Sequence, residues 1–144
     1  MMNERYDNLK LENLPCFALY VCAKEIVKKF TPFLNELDLT YTQYIAMIVL
    51  WEHKEVNVKE LGQYLFLDSG TLTPLLKKLE QKGYILRNKN SQDERVLNVS
   101  LTPAGAALEE KAALIPPQMS GCINLNDQEK KDLSKILHKV LTSV

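Results

Sequence analysis

The sequence predicts a mainly α-helical domain that carries one small β-hairpin. Three observations predict it. Apolar residues recur at helical spacing in most segments, and several of these segments open on Thr, Asn or Pro in capping or first-turn positions. The stretch Asp68 to Gln81, DSGTLTPLLKKLEQ, reads as a capped helix that Gly83 ends. After it come a short apolar run (Tyr84, Ile85, Leu86), the polar segment RNKNSQDER and the alternating run Val96 to Leu101, which read as strand, charged turn and strand. A helix with small hydroxyl residues in its first turn, followed by a charged hairpin, is built to reach DNA. The helix enters a major groove while the hairpin touches backbone or minor groove. The expected fold class is therefore a winged helix-turn-helix, flanked by further helices at both ends.

The elements follow in order. Residues 14–37 read as one long helix with Pro15 in its first turn, where the missing N–H is not needed. Leu14, Phe17 and Val21 begin its apolar face, and Pro32 should kink or break it. Thr40 and Gln43 form a capping box for a second helix, whose near-continuous apolar run from Tyr44 to Trp51 predicts a buried central element. Asn57 with Glu60 opens a short helix through Phe66, and the loop FLDSG leads to a helix beginning near Ser69. Pro74 lies close enough to that start to bend the first turns. Thr102 and Pro103 start the next helix, which runs toward Ile115 until Pro116 and Pro117 disturb it. Asn126 with Glu129 caps a final helix over 127–143, placing Leu133, Ile136, Leu137 and Val140 on one face.

The chain thus reads as a single domain, 1–144, with a DNA-reading unit over 57–101 and terminal helices over 14–37 and 103–143. Terminal helices of this kind have little core of their own to cover. Their apolar faces are most economically used in a symmetric dimer, which also presents two reading heads to a pseudo-palindromic operator in double-stranded DNA.

Composition agrees with an ordinary water-soluble domain. The chain is 46% hydrophobic and 25% charged, with a formal net charge of zero. No apolar run approaches the roughly 20 residues that span a bilayer, so no membrane role is expected. The N-terminal MMNERYDNLKLEN is polar and acidic, unlike a signal peptide, which points to the cytoplasm. Charge is uneven: 54–95 holds eight Lys/Arg against six Asp/Glu, whereas 1–53 holds five against seven. That bias is consistent with a local basic face. Cys16, Cys22 and Cys122 are too few and too scattered for a disulfide scaffold, and no Cys/His cluster suggests zinc or another cofactor. His53 and His138 are isolated and read as structural or surface residues, and no catalytic constellation stands out, so no enzyme is expected.

Within the reading unit, Ser69, Thr71 and Thr73 offer hydroxyls to phosphates or base edges, as unselective readers. For Ser69 the plain alternative is helix capping. Lys77 and Lys78 suit phosphates, or a merely solvated face. Arg87, Lys89 and Arg95 charge the hairpin, and Arg95 is the preferred groove reader, with Asp93 bracing the turn. The bland reading of that last pair is a surface ion pair of small worth.

The order helix, helix, helix-turn-helix, hairpin wing and two further helices resembles the MarR family of winged-helix regulators over essentially the whole chain. DER at 93–95 with LNVSLTPAG after it looks like that family's wing and exit segment. LENLPCFALY (11–20), LTYTQYIAMIVLWEH (39–53), LDSGTLTPLLKKLE (67–80) and DERVLNVSLT (93–102) resemble its OhrR branch, which senses organic hydroperoxides. The resemblance implies a repressor that leaves DNA when Cys16 is oxidised. Sensors of that branch commonly present two tyrosines to the reactive sulfur. Tyr41 matches one, and the other position holds Phe30, which cannot donate a hydrogen bond.

The nucleophile toward a peroxide is the thiolate. With Pro15 opening the helix, Cys16 lies in its first turn, where free N–H groups and the helix dipole favour that form, and where the Tyr41 phenol is a candidate hydrogen-bond donor. The apolar neighbours Phe17 and Leu14 suit an organic peroxide, and the sensor pocket is expected at Phe17, Tyr20 and Phe30. On residue type alone Cys16 reads first as a small buried hydrophobe, the commonest fate of a free cysteine, and the resemblance of its segment to the OhrR branch is what favours the sensor role. Cys22, six residues on, faces elsewhere around the helix and reads as packing. In two-cysteine members of the branch, a cysteine from the region of Cys122 pairs with the oxidised N-terminal cysteine of the other subunit, which implies a Cys16–Cys122 disulfide here. The alternative for Cys122 is a stray surface thiol. Two other functions compete: a regulator of the same fold released by a small aromatic ligand lined by Tyr20, Phe30, Tyr41 and Trp51, and a thiol peroxidase.

Overall fold

The computed structural model describes residues 4–144; the first three residues of the polar N-terminal segment lie outside the described residues. After a single turn of helix α1 (Glu4–Asp7) and a 3₁₀ turn at Leu11–Asn13, the chain enters the long helix α2 (Pro15–Asn35) with Pro15 in its first turn. It continues with α3 (Tyr41–His53), β1 (Glu55–Asn57), α4 (Val58–Leu65), α5 (Ser69–Gln81), β2 (Ile85–Lys89), β3 (Leu97–Leu101), α6 (Pro103–Ala112), α7 (Ile115–Ser120) and α8 (Asp127–Leu141). Among the described residues no helix is long and apolar enough to cross a membrane.

Local chemistry sets most of these boundaries. The three expected capping boxes are all formed, by Thr40 with Gln43, Asn57 with Glu60 and Asn126 with Glu129. Thr102 caps α6 by accepting from the Gly105 N–H, with Pro103 next to it. Gly83 follows the end of α5 at φ 79, the left-handed conformation that lets the chain turn back into β2.

Pro32 and Pro74 do not break their helices. Helix α2 runs through Pro32 and ends three residues later, and α5 runs through Pro74 to Gln81. Pro32 removes the donor for the Lys28 carbonyl, which stands on an exposed turn where water can satisfy it. Pro116 and Pro117 do not end a helix. They occupy the first turn of α7, and the break falls before them, at Ala113 and Leu114.

Two strands were expected and three are present. The sheet order is β1-β3-β2, antiparallel throughout, with Val56 opposite Val99 and Ile85 opposite Leu101. The core gathers α3, α4 and α5 against this sheet: Met47, Leu50, Leu61, Leu72, Leu76, Leu79, Ile85 and Val99 are fully buried. Helix α3 is the central element, as its apolar run predicts. The Trp51 indole N–H donates to the Gly105 carbonyl at 3.0 Å and ties α3 to α6.

The terminal helices contrast with this core. Of α2 only Leu34, near its C-terminus, is buried, and α8 buries no residue. Leu133, Ile136, Leu137, Val140 and Leu141 all stand exposed on α8, and Leu14, Phe17 and Leu19 on the N-terminal half of α2. Both helices therefore leave apolar residues uncovered, as expected of helices that cannot cover themselves.

Candidate nucleic-acid interface and thiol site

The recognition helix α5 is amphipathic by construction. Leu72, Leu75, Leu76 and Leu79 are buried, while Ser69, Thr71, Thr73, Lys77 and Lys78 are exposed. Its cap is Asp68, one residue earlier than Ser69. The Thr71 N–H donates to Asp68 Oδ1 at 2.7 Å, and that hydrogen bond holds the carboxyl below its usual range. The capping alternative for Ser69 is thereby removed, and Ser69 is the first helical residue.

The polar segment after β2 is shorter than the sequence suggests. Arg87 and Lys89 belong to β2, and the turn spans 90–96. Arg87 does not stand free at the hairpin tip. Its Nε and Nη2 donate to the Glu80 carboxylate at 3.1 and 3.3 Å, with the side chain 21% exposed, so it braces the wing against the end of α5. This hydrogen bonding is the main cause holding Glu80 below the usual carboxylate range. Lys89 is exposed on the strand. In the turn, Asp93 accepts from Arg95 through Nε at 3.1 Å and Nη2 at 3.2 Å and also caps the Arg95 N–H at 3.0 Å. Asp93 thus braces the turn, as its spacing predicts, and presents an Arg95 side chain that is 91% exposed.

Ser69 and Arg95 meet across one open cleft of about 1020 Å³ between the helix-turn-helix and the wing. Asn57, Lys59 and Gln63 of the preceding segment line it too. Sequence reasoning missed Lys59 and Gln63. The available signal was their spacing of four on the polar face of α4, which sets them one above the other. Lys59, Arg95 and the Ser69 hydroxyl around a groove of this kind suit a phosphodiester backbone passing between wing and recognition helix.

The expected thiol site is not assembled within one protomer. Cys16 occupies the second position of α2, whose start has no side-chain cap, and it is exposed and free. Tyr20, one turn on, shares its face and holds Lys24 Nζ at 5.7 Å from its ring centroid. Phe30 lies 14 residues along the same helix, about 21 Å away at 1.5 Å per residue. There its ring packs edge-on to Tyr41 at 5.1 Å, with Tyr44 at 5.9 Å. Tyr41 is therefore about 20 Å from its own Cys16 and cannot donate to it. Phe17 and Tyr20 stay with Cys16, and Phe30 and Tyr41 belong to the far end.

Cys22 is exposed, contrary to the packing role expected of it, because the face of α2 that carries it has nothing over it in the protomer. It lines a second cleft, of about 410 Å³, with Leu11, Leu14, Phe17 and Val21. Cys122 is exposed in the α7–α8 connection, where its Sγ contacts the Gln118 carbonyl at 3.6 Å. Among the described residues no group of three or more His, Cys, Asp or Glu is placed to hold a metal ion. Neither cleft is lined by Phe30, Tyr41 or Trp51, which pack in and against the core.

Comparison with known proteins follows this geometry. The family model for the transcriptional regulator SarA/Rot matches residues 28–112. The chain is 43% identical to the organic hydroperoxide resistance transcriptional regulator of Bacillus subtilis, over 99% of this chain and 97% of that one. It is 45% identical to the HTH-type transcriptional regulator SarZ of Staphylococcus aureus, over 88% of this chain and 86% of the other. Among solved structures, reduced AbfR bound to DNA superposes with a TM-score of 0.82 at 28% identity, covering 95% of this chain and 94% of that one. AbfR of Staphylococcus epidermidis has also been solved overoxidised and bound to DNA (TM-score 0.80, 28% identity, covering 97% and 99%) and in a disulfide form (TM-score 0.63, 27% identity, covering 99% and 95%). A capped recognition helix, a braced wing and these relatives lead to one assignment: the chain is a DNA-binding transcriptional regulator, a MarR-type winged helix-turn-helix protein belonging to the SarA/Rot family.

Proposed function

We propose that this regulator is a cytoplasmic homodimeric repressor that organic hydroperoxides release from its operator by oxidising Cys16. One observation carries the reading. Cys16 and Cys122 are both exposed and free, outside the wing cleft, on a chain whose α8 and N-terminal α2 leave apolar residues uncovered. A second copy covering those helices brings Cys16 of one subunit toward the Phe30–Tyr41 pair or the α7–α8 connection of the other. In that arrangement Tyr41 donates to the partner's sulfur, while Phe30, lacking a hydroxyl, supplies only an apolar wall.

The chemistry balances without a cofactor. The Cys16 thiolate attacks the outer peroxide oxygen, the O–O bond breaks, and sulfenic acid and an alcohol result. The Cys122 thiolate of the other subunit then attacks that sulfur and water leaves, giving an intersubunit disulfide. The relatives lend support. One is named for organic hydroperoxide resistance, and AbfR has been solved both reduced on DNA and with a disulfide formed. That overoxidised AbfR is bound to DNA favours the disulfide, rather than oxygen added to sulfur, as the releasing event here. Neither described cleft is lined by Tyr20, Phe30, Tyr41 or Trp51, which gives the aromatic-ligand alternative no support, and the peroxidase alternative falls with the family, whose named relatives are transcriptional regulators.

The test is operator binding before and after an organic hydroperoxide, with non-reducing gels alongside. A reductant-sensitive band at dimer mass is expected, absent in Cys16→Ser and Cys122→Ser and retained in Cys22→Ser. Normal release of Cys16→Ser ends the redox reading. Normal release of Cys122→Ser reduces Cys122 to a protective thiol and leaves the switch at Cys16 alone.

A further inference from the structure

The C-terminal end of the recognition helix is hydrogen-bonded to the turn that opens α3. Lys82 follows the last residue of α5. Its ammonium, on a side chain 25% exposed, donates to the Asp38 carbonyl and to Gln43 Oε1 at 3.1 Å, and stands 3.5 Å from the Asp38 carboxylate. Two residues on, the Tyr84 hydroxyl donates to the Leu37 carbonyl at 3.4 Å. Gln43 is 3% exposed, and the same Oε1 accepts the Thr40 N–H at 3.0 Å. The lysine is therefore bonded into the capping box that starts α3. Tyr41, the first residue of that helix, packs against Phe30.

Elsewhere α5 is held by its buried leucines and, at Glu80, by the Arg87 pair that joins it to β2 rather than to α3. Apolar contact keeps a helix down but is non-directional, so it sets the helix's register along the core only weakly. Hydrogen bonds have a length and an angle, and they supply the missing register. The Asp38 carboxylate is largely exposed, so the ion pair contributes little; the buried amide and the backbone carbonyl are the specific contacts. Asp38 itself sits at φ 53, a conformation that favours glycine, and its carbonyl is the one the ammonium takes. A 13-residue helix is about 20 Å long, so a tilt of about 6° about its centre moves each end by about 1 Å. What holds Lys82 thus bears on where Ser69 meets a groove.

We infer that Lys82 is a positioning residue for operator binding: it sets the recognition helix in register from its C-terminal end and carries to it any displacement of the first turn of α3. The second half of this inference rests on the proposed sensor role of Cys16 and Tyr41. A shift at Tyr41 moves Gln43 on the same turn, and Gln43 and Asp38 together move Lys82.

The experiment compares full-length wild type, Lys82→Met and Lys82→Arg. Methionine keeps the apolar stem and removes every donor. Operator and scrambled duplexes are titrated with reduced and peroxide-treated protein, with dimer mass and melting midpoint recorded. Reduced Lys82→Met is expected to lose about tenfold or more in operator affinity, as for a hydrogen-bonded charge, and to bind scrambled DNA as wild type does. Lys82→Arg restores most of the loss. Oxidised wild type and oxidised Lys82→Met bind equally weakly, so the redox ratio shrinks in the variant. Operator affinity within about twofold of wild type in the reduced state overturns the inference. So does an equal loss on both duplexes, which makes Lys82 a phosphate contact. If wild type keeps its affinity after peroxide, the sensor reading fails, while the reduced-state comparison still decides the positioning role. Should Lys82→Met not fold, Tyr84→Phe cuts the second link at the same junction and is expected to lower reduced operator affinity in the same sense; unchanged affinity there counts against the junction.

Discussion

Arg95 and Arg87 stand eight residues apart on one hairpin, and alanine substitution should separate their tasks. Arg95 is 91% exposed, held by Asp93 at the mouth of the wing cleft. Losing a groove contact costs about 1–3 kcal/mol, or about 5- to 150-fold in Kd. The Asp93 pair lost with it is a surface pair, so the fold should not weaken. Arg87 is 21% exposed and has two donors on Glu80, so its removal loosens β2 from α5 and should lower the melting midpoint. Fluorescence anisotropy on operator and scrambled duplexes over a salt series, with thermal melts, reads both. Arg95→Ala should weaken operator binding by the stated factor and leave the melt unchanged. If the guanidinium also neutralises a phosphate, the salt slope should flatten by about one unit. Measurements belong at neutral pH. Glu80 and Asp93 are both held below their usual range by their arginines, so the braces are intact above the unfolded pKa values and fail only as pH falls through the lower folded ones, below about pH 4. Operator binding by Arg95→Ala within about twofold of wild type at physiological salt would refute the groove assignment. A stable Arg87→Ala that loses operator affinity more than Arg95→Ala would reverse the two roles.

Three further outcomes follow from the packing. Gly105→Ala places a Cβ 2.0 Å from the Tyr84 carbonyl oxygen and should lower stability by about 3 kcal/mol or more, read as a reduced urea midpoint; an unchanged midpoint contradicts the close approach of α6 to that backbone. Deleting 126–144 removes the exposed apolar face of α8, and sedimentation at micromolar concentration should show a monomer; a truncated chain that stays dimeric excludes α8 as a principal contact. The Tyr44 phenol is pushed up by burial first and by Tyr41 second, so its contribution is full below about pH 10 and is lost as pH rises through the raised folded value. Tyr44→Phe should therefore lose less stability between pH 8 and 11 than wild type does; an equal loss places the alkaline sensitivity elsewhere.

What was legible in the sequence was mostly local. Thr40 with Gln43, Asn57 with Glu60 and Asn126 with Glu129 are three residues apart, so the pairs that start the helices can be read without any tertiary knowledge. Strand β1 was not legible: three residues, EVN, are too few for their alternation to stand out, and their pairing with β3 lies 41 to 45 positions away. The prolines misled because their effect depends on whether the carbonyl they strand reaches water, which the sequence does not say. Of the candidate DNA-facing set, the exposed face of α5 and the Asp93–Arg95 brace were visible from spacing. The engagement of Arg87 by Glu80 was not, since it depends on how β2 lies against the end of α5. The separation of Cys16 from Phe30 was open to simple helix arithmetic. The partnership of Phe30 with Tyr41 needed the turn between α2 and α3.

The division of the protomer has an energetic consequence for the proposed switch. The core centres on the helix-turn-helix and sheet, whereas Cys16 and Cys122 stand exposed, at the start of α2 and in the α7–α8 connection. A change at the thiols can therefore rearrange how two heads face each other without unfolding either. To move a two-state equilibrium from 99:1 to 1:99 takes about 5.5 kcal/mol. A single neutral hydrogen bond contributes about 1 kcal/mol net, so gaining or losing one bond at an oxidised sulfur falls well short. A covalent link between subunits is not limited in that way. It forbids any arrangement that separates its two sulfurs, and two recognition helices must sit about 34–36 Å apart to occupy successive major grooves. On this reasoning the second thiol is what turns oxidation into release. Sulfenic acid at Cys16 without Cys122 should then give partial loss of operator affinity, graded with oxidant, where the two-thiol protein gives full loss. Equal and complete release by both proteins would show that the chemistry at Cys16 moves the heads by itself.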